Sequence, residues 1–219
     1  PYTDQVSISG VSPGTTAKDE YFTIQLASNA PAPVTITGWR VRSTASGKTG
    51  TIPKATELPK SGINTTIPLT LKPGDQALVL SGESPIGVSF RENMCVGYFG
   101  TRQTFYPSLY SSCPSPYTEF ERFYDGNKLR DDRCYAYVQS LGQCTTAKSL
   151  PVGLTSDCED FVDTYLDYSG CVAAHRYESG FESNRYRVYL DRSSKLWKSN
   201  REAIKLLDEN GKTVDLYTY

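Results

Sequence analysis

Apolar and polar positions alternate through the first third of the chain. In residues 5–9, Val6 and Ile8 share one face before Ser12-Pro13-Gly14 breaks the run. Phe22, Ile24 and Leu26 share a face of the next run at period two, the spacing of a half-buried strand. Residues 34–37 alternate again and lead into Gly38-Trp39-Arg40-Val41-Arg42, and Ser46-Gly47-Lys48 reads as a hairpin tip. Residues 67–71 run into Lys72-Pro73-Gly74-Asp75, with Pro and Gly in the central places of a turn, and residues 76–80 form another strand. Strands resume at 186–190, 203–207 and 213–217. The last two flank Asn210-Gly211, the strongest short-range hairpin signal. Short strands separated by turns, with no helical period in 5–82, predict an antiparallel β-sandwich.

The middle of the chain has a different texture. Residues 83–130 are rich in Pro, Ser, Tyr and Gly and show little strand pattern. Residues 131–170 carry the helical period. Cys134, Val138 and Leu141 recur at i, i+4 and i+7, and Gly142 ends the run. A second helix opens with a capping box, Ser156-x-x-Glu159, and lines up Cys158, Phe161, Val162, Tyr165 and Leu166 before Gly170 stops it. The pattern predicts a hairpin of two short helices.

The 219 residues are 38% hydrophobic and 21% charged, enough apolar material for a core and against disorder. No run approaches the ~18 apolar residues of a membrane helix. A formal net charge of −1 argues against a broad basic surface for nucleic acid. Tyr 16 against Phe 8 favours strands whose rings keep one edge wet.

Six cysteines, Cys95, Cys113, Cys134, Cys144, Cys158 and Cys171, form an even set of the kind that makes a disulfide framework in an exported protein. No CxxC pair offers a zinc site. Cysteines ten or more residues apart along one helix stand too far apart to bridge, so the pairs Cys134–Cys144 and Cys158–Cys171 are excluded. Antiparallel helix ends then predict Cys134–Cys171 and Cys144–Cys158, leaving Cys95–Cys113. Met94 is the only methionine and the chain opens Pro1-Tyr2-Thr3, so a preceding segment is expected to have been removed. Both ends are expected to be packed or paired.

The β portions together resemble a lamin-tail domain. The residues that carry the resemblance are Val6-Ser7-Ile8-Ser9-Gly10-Val11-Ser12-Pro13, Asp19-Glu20-Tyr21-Phe22-Thr23-Ile24 and Val34-Thr35-Ile36-Thr37-Gly38-Trp39-Arg40-Val41. Leu71-Lys72-Pro73-Gly74 follows, and Ile204-Lys205-Leu206-Leu207-Asp208-Glu209-Asn210-Gly211-Lys212-Thr213-Val214-Asp215 closes the pattern. The order is the family's throughout, over residues 1–82 and 186–219. The resemblance implies an immunoglobulin-like β-sandwich that serves exported proteins as a binding or architectural module, with no family-wide catalytic residues. Residues 83–185, where the family has a short connection, are expected to be a Cys-rich insertion with a loop region and two short helices.

Candidate chemistry is sparse. His175 is the only imidazole, and no Gly-x-Ser-x-Gly elbow supplies it with a nucleophile. It reads as a surface or hydrogen-bonded histidine. Asp157, Glu159, Asp160, Asp163 and Asp167 make the second helix acidic. They read as a solvated face, with a calcium site as the rival. Residues 176–205 hold eight basic residues (Arg176, Arg185, Arg187, Arg192, Lys195, Lys198, Arg201, Lys205) against four acids; they read as ordinary surface charge, with head-to-tail attraction to the acidic helix of another copy as the rival. Trp39 reads as core; Trp197 is either core or a carbohydrate-stacking ring. Tyr98, Phe99, Phe105, Tyr106, Tyr110, Tyr117, Phe120, Phe123 and Tyr124 either fill the insertion's own core or form a patch for a partner. Asn64-Thr65-Thr66 is a glycosylation sequon.

The sequence therefore leads to a mainly β protein at the cell surface or outside the cell. It is expected to use no cofactor, metal or catalytic residue, and to act as a structural or interaction module whose partner is another protein or a copy of itself. A carbohydrate- or cell-wall-binding domain of a larger secreted protein is the alternative, and an enzyme using His175 or the helix carboxylates is the third reading.

Overall fold

Alternation places its apolar residues where two sheets share one core. The computed structural model describes residues 2–60, 62–128 and 130–219. Two compact units emerge, the first formed by Pro1–Glu92 with Asn184–Tyr219 and the second by Asn93–Ser183.

In chain order the strands are β1 (Val6–Ser12), β2 (Tyr21–Leu26), β3 (Val34–Thr35), β4 (Arg40–Ser43), β5 (Thr49–Thr51) and β6 (Ala55–Thr56). They continue as β7 (Thr70–Leu71), β8 (Gln76–Leu80), β9 (Ser89–Asn93), β10 (Glu182–Tyr189), β11 (Ala203–Leu207) and β12 (Thr213–Thr218). One sheet has the order β1-β2-β8-β10-β9-β6, a second β12-β11-β4-β5, and β3 pairs with β7. Opposed residues Ile8 and Ile24, and Phe22 and Val79, fix the register of the first sheet. Its inward residues join Val41, Ile204, Leu206 and Val214 of the second sheet in one buried cluster. A one-residue slip of β2 would turn Phe22, Ile24 and Leu26 to solvent, so the register is strongly specified.

The first sheet is mixed, a correction to the antiparallel expectation: β10 runs parallel to β8, and β6 parallel to β9. No tight turn joins β8 to β10, because all of unit two lies between them in the chain, so nothing imposes a hairpin return. β9, expected within the insertion, pairs in this sheet. It hides polar side chains: Arg91, Glu92 and Asn93 are all buried. Glu92 pairs with the buried Arg187 of β10, and Arg91 lies 3.5 Å from Glu57 and 3.7 Å from Asp75 with its guanidinium over the Tyr186 ring. Ion pairing takes the place of apolar alternation there, so the pattern shows no strand.

Buried carboxylates hold the loops of unit one. Glu20 accepts the backbone N–H groups of Leu196 and Trp197, and burial raises its pKa. Glu202 accepts from Ser43 Oγ and from the N–H groups of Ala45 and Lys198.

Among its described residues unit two contains a 3-10 turn (Val96–Thr101) and four helices, α1 (Pro116–Phe123), α2 (Asp132–Ser140), α3 (Ser156–Tyr165) and α4 (Tyr168–His175). The expected two-helix hairpin is thus corrected to four helices. Ser115 caps α1 by accepting the Thr118 N–H at 3.1 Å, with Pro116 as first helical residue. Thr155, rather than Ser156, caps α3. Gly170 does not end a helix. It sits inside α4, where a Cβ would fall 1.9 Å from the Thr164 carbonyl oxygen, so only glycine permits this approach. Asp131 gathers three helix ends: it accepts the Cys134 N–H, the Tyr124 hydroxyl and the Thr155 hydroxyl. Burial opposes its charge, and those hydrogen bonds outweigh burial and lower its pKa. Phe120, Tyr124, Val138, Phe161, Val162 and Leu166 form the core among them.

All six cysteines are bridged, as Cys95–Cys171, Cys113–Cys144 and Cys134–Cys158. None of the three expected pairs forms. No bridge spans the turns of a single helix, as the axial argument requires, but the expected partners rested on one continuous second helix. Asp167 interrupts that helix and caps α4, which carries Cys171 away from Cys134. Cys134 and Cys158 instead join the first turns of α2 and α3, the two turns that Asp131 already brings together.

Candidate functional site

His175 ends α4, where a positive charge complements the helix dipole. Its Nε2 lies 2.7 Å from Glu119 Oε2 on α1, and its Nδ1 2.9 Å from Glu178 Oε2. Arg122 pairs with the other oxygen of Glu178 at 2.6 Å. His175 and Glu119 are each 2% exposed, and the Phe123 ring meets the imidazole edge-on. Carboxylates only accept, so two of them on one ring call for a proton on each nitrogen. Burial opposes that charge, but the Glu119 and Glu178 hydrogen bonds prevail and raise the pKa of His175. The hydrogen bond from His175, then that from Arg122, lowers the pKa of Glu178. Burial, reinforced by Glu119 and Asp167, pushes the Tyr98 hydroxyl above its ordinary range. Of the two alternatives, surface or hydrogen-bonded, the structure shows the second: His175 is buried and hydrogen-bonded, bridging α1 and the end of α4. Among the described residues its hydrogen-bond partners are these two carboxylates, so the arrangement clamps helices and offers no paired nucleophile.

The aromatic residues of unit two divide. Tyr98, Phe99, Phe105, Phe120 and Tyr124 are buried and Phe123 is half-buried. Tyr106, Tyr110 and Tyr117 are exposed at 54%, 60% and 42%. Tyr117 makes an edge contact with the exposed Tyr135 of α2, a residue the sequence reading did not single out. The patch and core readings thus apply to different members of one set. Tyr135 directly follows Cys134, about 100° round the helix from it and so off the apolar stripe of α2, and that is the signal that finds it.

Asp157, Glu159, Asp160 and Asp163 lie exposed on α3, while Asp167 is spent on capping α4. Among the described residues no group of three His, Cys, Asp or Glu is placed to hold a metal ion. The basic region is partly consumed: Arg187 is buried against Glu92, and Lys195 donates to the Gly14 carbonyl and to Ser199. Trp39 and Trp197 are both core residues. Trp39 donates to Glu209 at 2.9 Å and Trp197 packs on the edge of Phe22, so neither presents a face for stacking a sugar. The Asn64 side chain bonds Lys60 and Gly62 within its own loop.

Three disulfides and no free thiol suit an oxidising compartment. Among the described residues no helix is long and apolar enough to cross a membrane. No family model, curated protein or solved structure matches the chain significantly.

Proposed function

We propose that the chain is an exported, non-enzymatic module of a cell-surface or filament-type assembly, and that unit one is an immunoglobulin-like sandwich of the lamin-tail kind. The ordered motifs and the single core shared by two sheets support the fold. The function rests chiefly on one observation: a unit held by three disulfides displays Tyr106, Tyr110, Tyr117 and Tyr135. Tyrosine gives large contact area at low entropic cost and is enriched at interfaces. The partner is a second copy or another exported protein. Sedimentation and electron microscopy over a range of concentrations, with a Tyr106→Ser, Tyr110→Ser, Tyr117→Ser, Tyr135→Ser variant alongside, test the reading. Assembly, or binding to the surface of the producing cells, that the variant loses is the expected result. A strict monomer that leaves those cells bare removes it.

A further inference from the structure

A cleft of about 330 Å³ opens on unit two between residues 97–111 and 143–145. Its hydrogen-bonding side chains include Thr101, Gln103, Thr104, Ser111, Gln143 and Thr145, and none of its twelve lining residues is charged. In a chain that is 21% charged, twelve residues drawn at random would bring about two or three charges. Neutrality is thus a property of this concave surface, not of the protein's surface in general.

The cleft is built on a fixed base. Cys144, in its wall, is bridged to Cys113 and its Sγ accepts the Cys113 N–H. A Cβ on Gly97 would lie 2.3 Å from Cys144 Sγ and 2.9 Å from the Tyr110 carbonyl oxygen, so glycine there lets the two walls close together. The side chains of Gln103, Thr104, Ser111, Gln143 and Thr145 make no hydrogen bond to another described residue, which leaves five groups able to donate and accept. Tyr106 and Tyr110, each next in sequence to a lining residue, are among the most exposed rings of the chain.

We propose that this cleft binds a neutral saccharide. A sugar offers many hydroxyls that both donate and accept, and carries no charge that would need an ionic partner. A charged ligand would lose water here and gain no counter-charge. An apolar ligand would meet walls that are mostly hydroxyl and amide, since Phe105 is buried beneath them. The proposal goes beyond the assembly reading and stands without it.

Nuclear magnetic resonance of the isotope-labelled, disulfide-intact chain tests it. The probes are maltotriose, cellotriose, mannotriose and tri-N-acetylchitotriose, with oligogalacturonate and an uncharged Gly-Ser peptide as comparisons. A neutral trisaccharide should shift the resonances of Gln103, Gln143 and Thr145 saturably. Gln103→Ala and Gln143→Ala, exposed substitutions that keep the fold, should each weaken that binding about three- to tenfold, the loss of one neutral hydrogen bond. No saturable shift with any of the four sugars overturns the proposal. So do shifts that map away from the cleft, binding that both variants retain unchanged, and preferential binding of oligogalacturonate or the peptide.

Discussion

His175 Nε2 and Glu119 Oε2 stand 2.7 Å apart, both shielded from solvent, and so tie the end of α4 to the middle of α1. The raised pKa of His175 means that the folded state holds its proton more tightly than the unfolded chain does. That stabilisation is complete below the ordinary histidine value of about 6.5 and is lost as pH rises through the raised value. Glu178 works in the opposite direction. Its lowered pKa gives stability above about 4.5 that is lost as pH falls through the depressed value. Thermal unfolding followed from pH 4 to 9 should therefore show the clamp strongest between about 4.5 and 6.5. His175→Gln should flatten the decline above that window, and equal slopes in the two proteins would refute the clamp.

Peptide mapping under non-reducing conditions should recover Cys95–Cys171, Cys113–Cys144 and Cys134–Cys158. Replacing Cys134 and Cys158 by serine should cost about 3 kcal/mol in denaturant unfolding. The Cys95–Cys171 pair encloses a longer loop, with a sequence separation of 76 against 24, and its loss should cost about 1 kcal/mol more.

Arg187 and Glu92 are buried together in the first sheet, at 1% and 3% exposure. Arg187→Met alone should destabilise by about 3–5 kcal/mol, because it strands a carboxylate in the interior. Adding Glu92→Leu should recover most of that loss, and chemical denaturation of the three proteins measures the coupling. A double variant as unstable as the single would show that packing, not stranded charge, sets the cost.

Gly170→Ala places a methyl group 1.9 Å from the Thr164 carbonyl oxygen. Backbone cannot yield as a side-chain tip does, so α4 must shift and the substitution should cost about 2 kcal/mol or more. Gly100→Ala meets nothing within 4 Å and serves as the neutral comparison in the same melting experiment.

Strands built on apolar alternation could be read directly. β2 and β11 coincide with their patterns because one face of each enters the core. β9 could not, since Phe90 is its one large apolar residue, and Arg91 and Glu92 are buried against charged partners distant in sequence. α1 was hidden among Pro, Ser and Tyr, although Ser115-Pro116 with Phe120, Phe123 and Tyr124 carried a helix start and a helical period. The break at Asp167 escaped because an acid within an acidic helix looks like more solvated face, whereas its carboxylate is capping the next helix. The burial of His175 depends on Glu119, 56 positions earlier, and no local pattern announces such a partner.

Cys95 lies two residues inside the first boundary of unit two, and Cys171 twelve residues before the last. A pull applied across those boundaries therefore runs through sulfur almost at once. The 76-residue span between them, about 250 Å of chain if drawn straight, cannot be paid out while the bond stands. Mechanically, α1, α2 and α3 lie inside the bond and are excused from bearing load, which passes instead through the last turn of α4 and the residues that follow it.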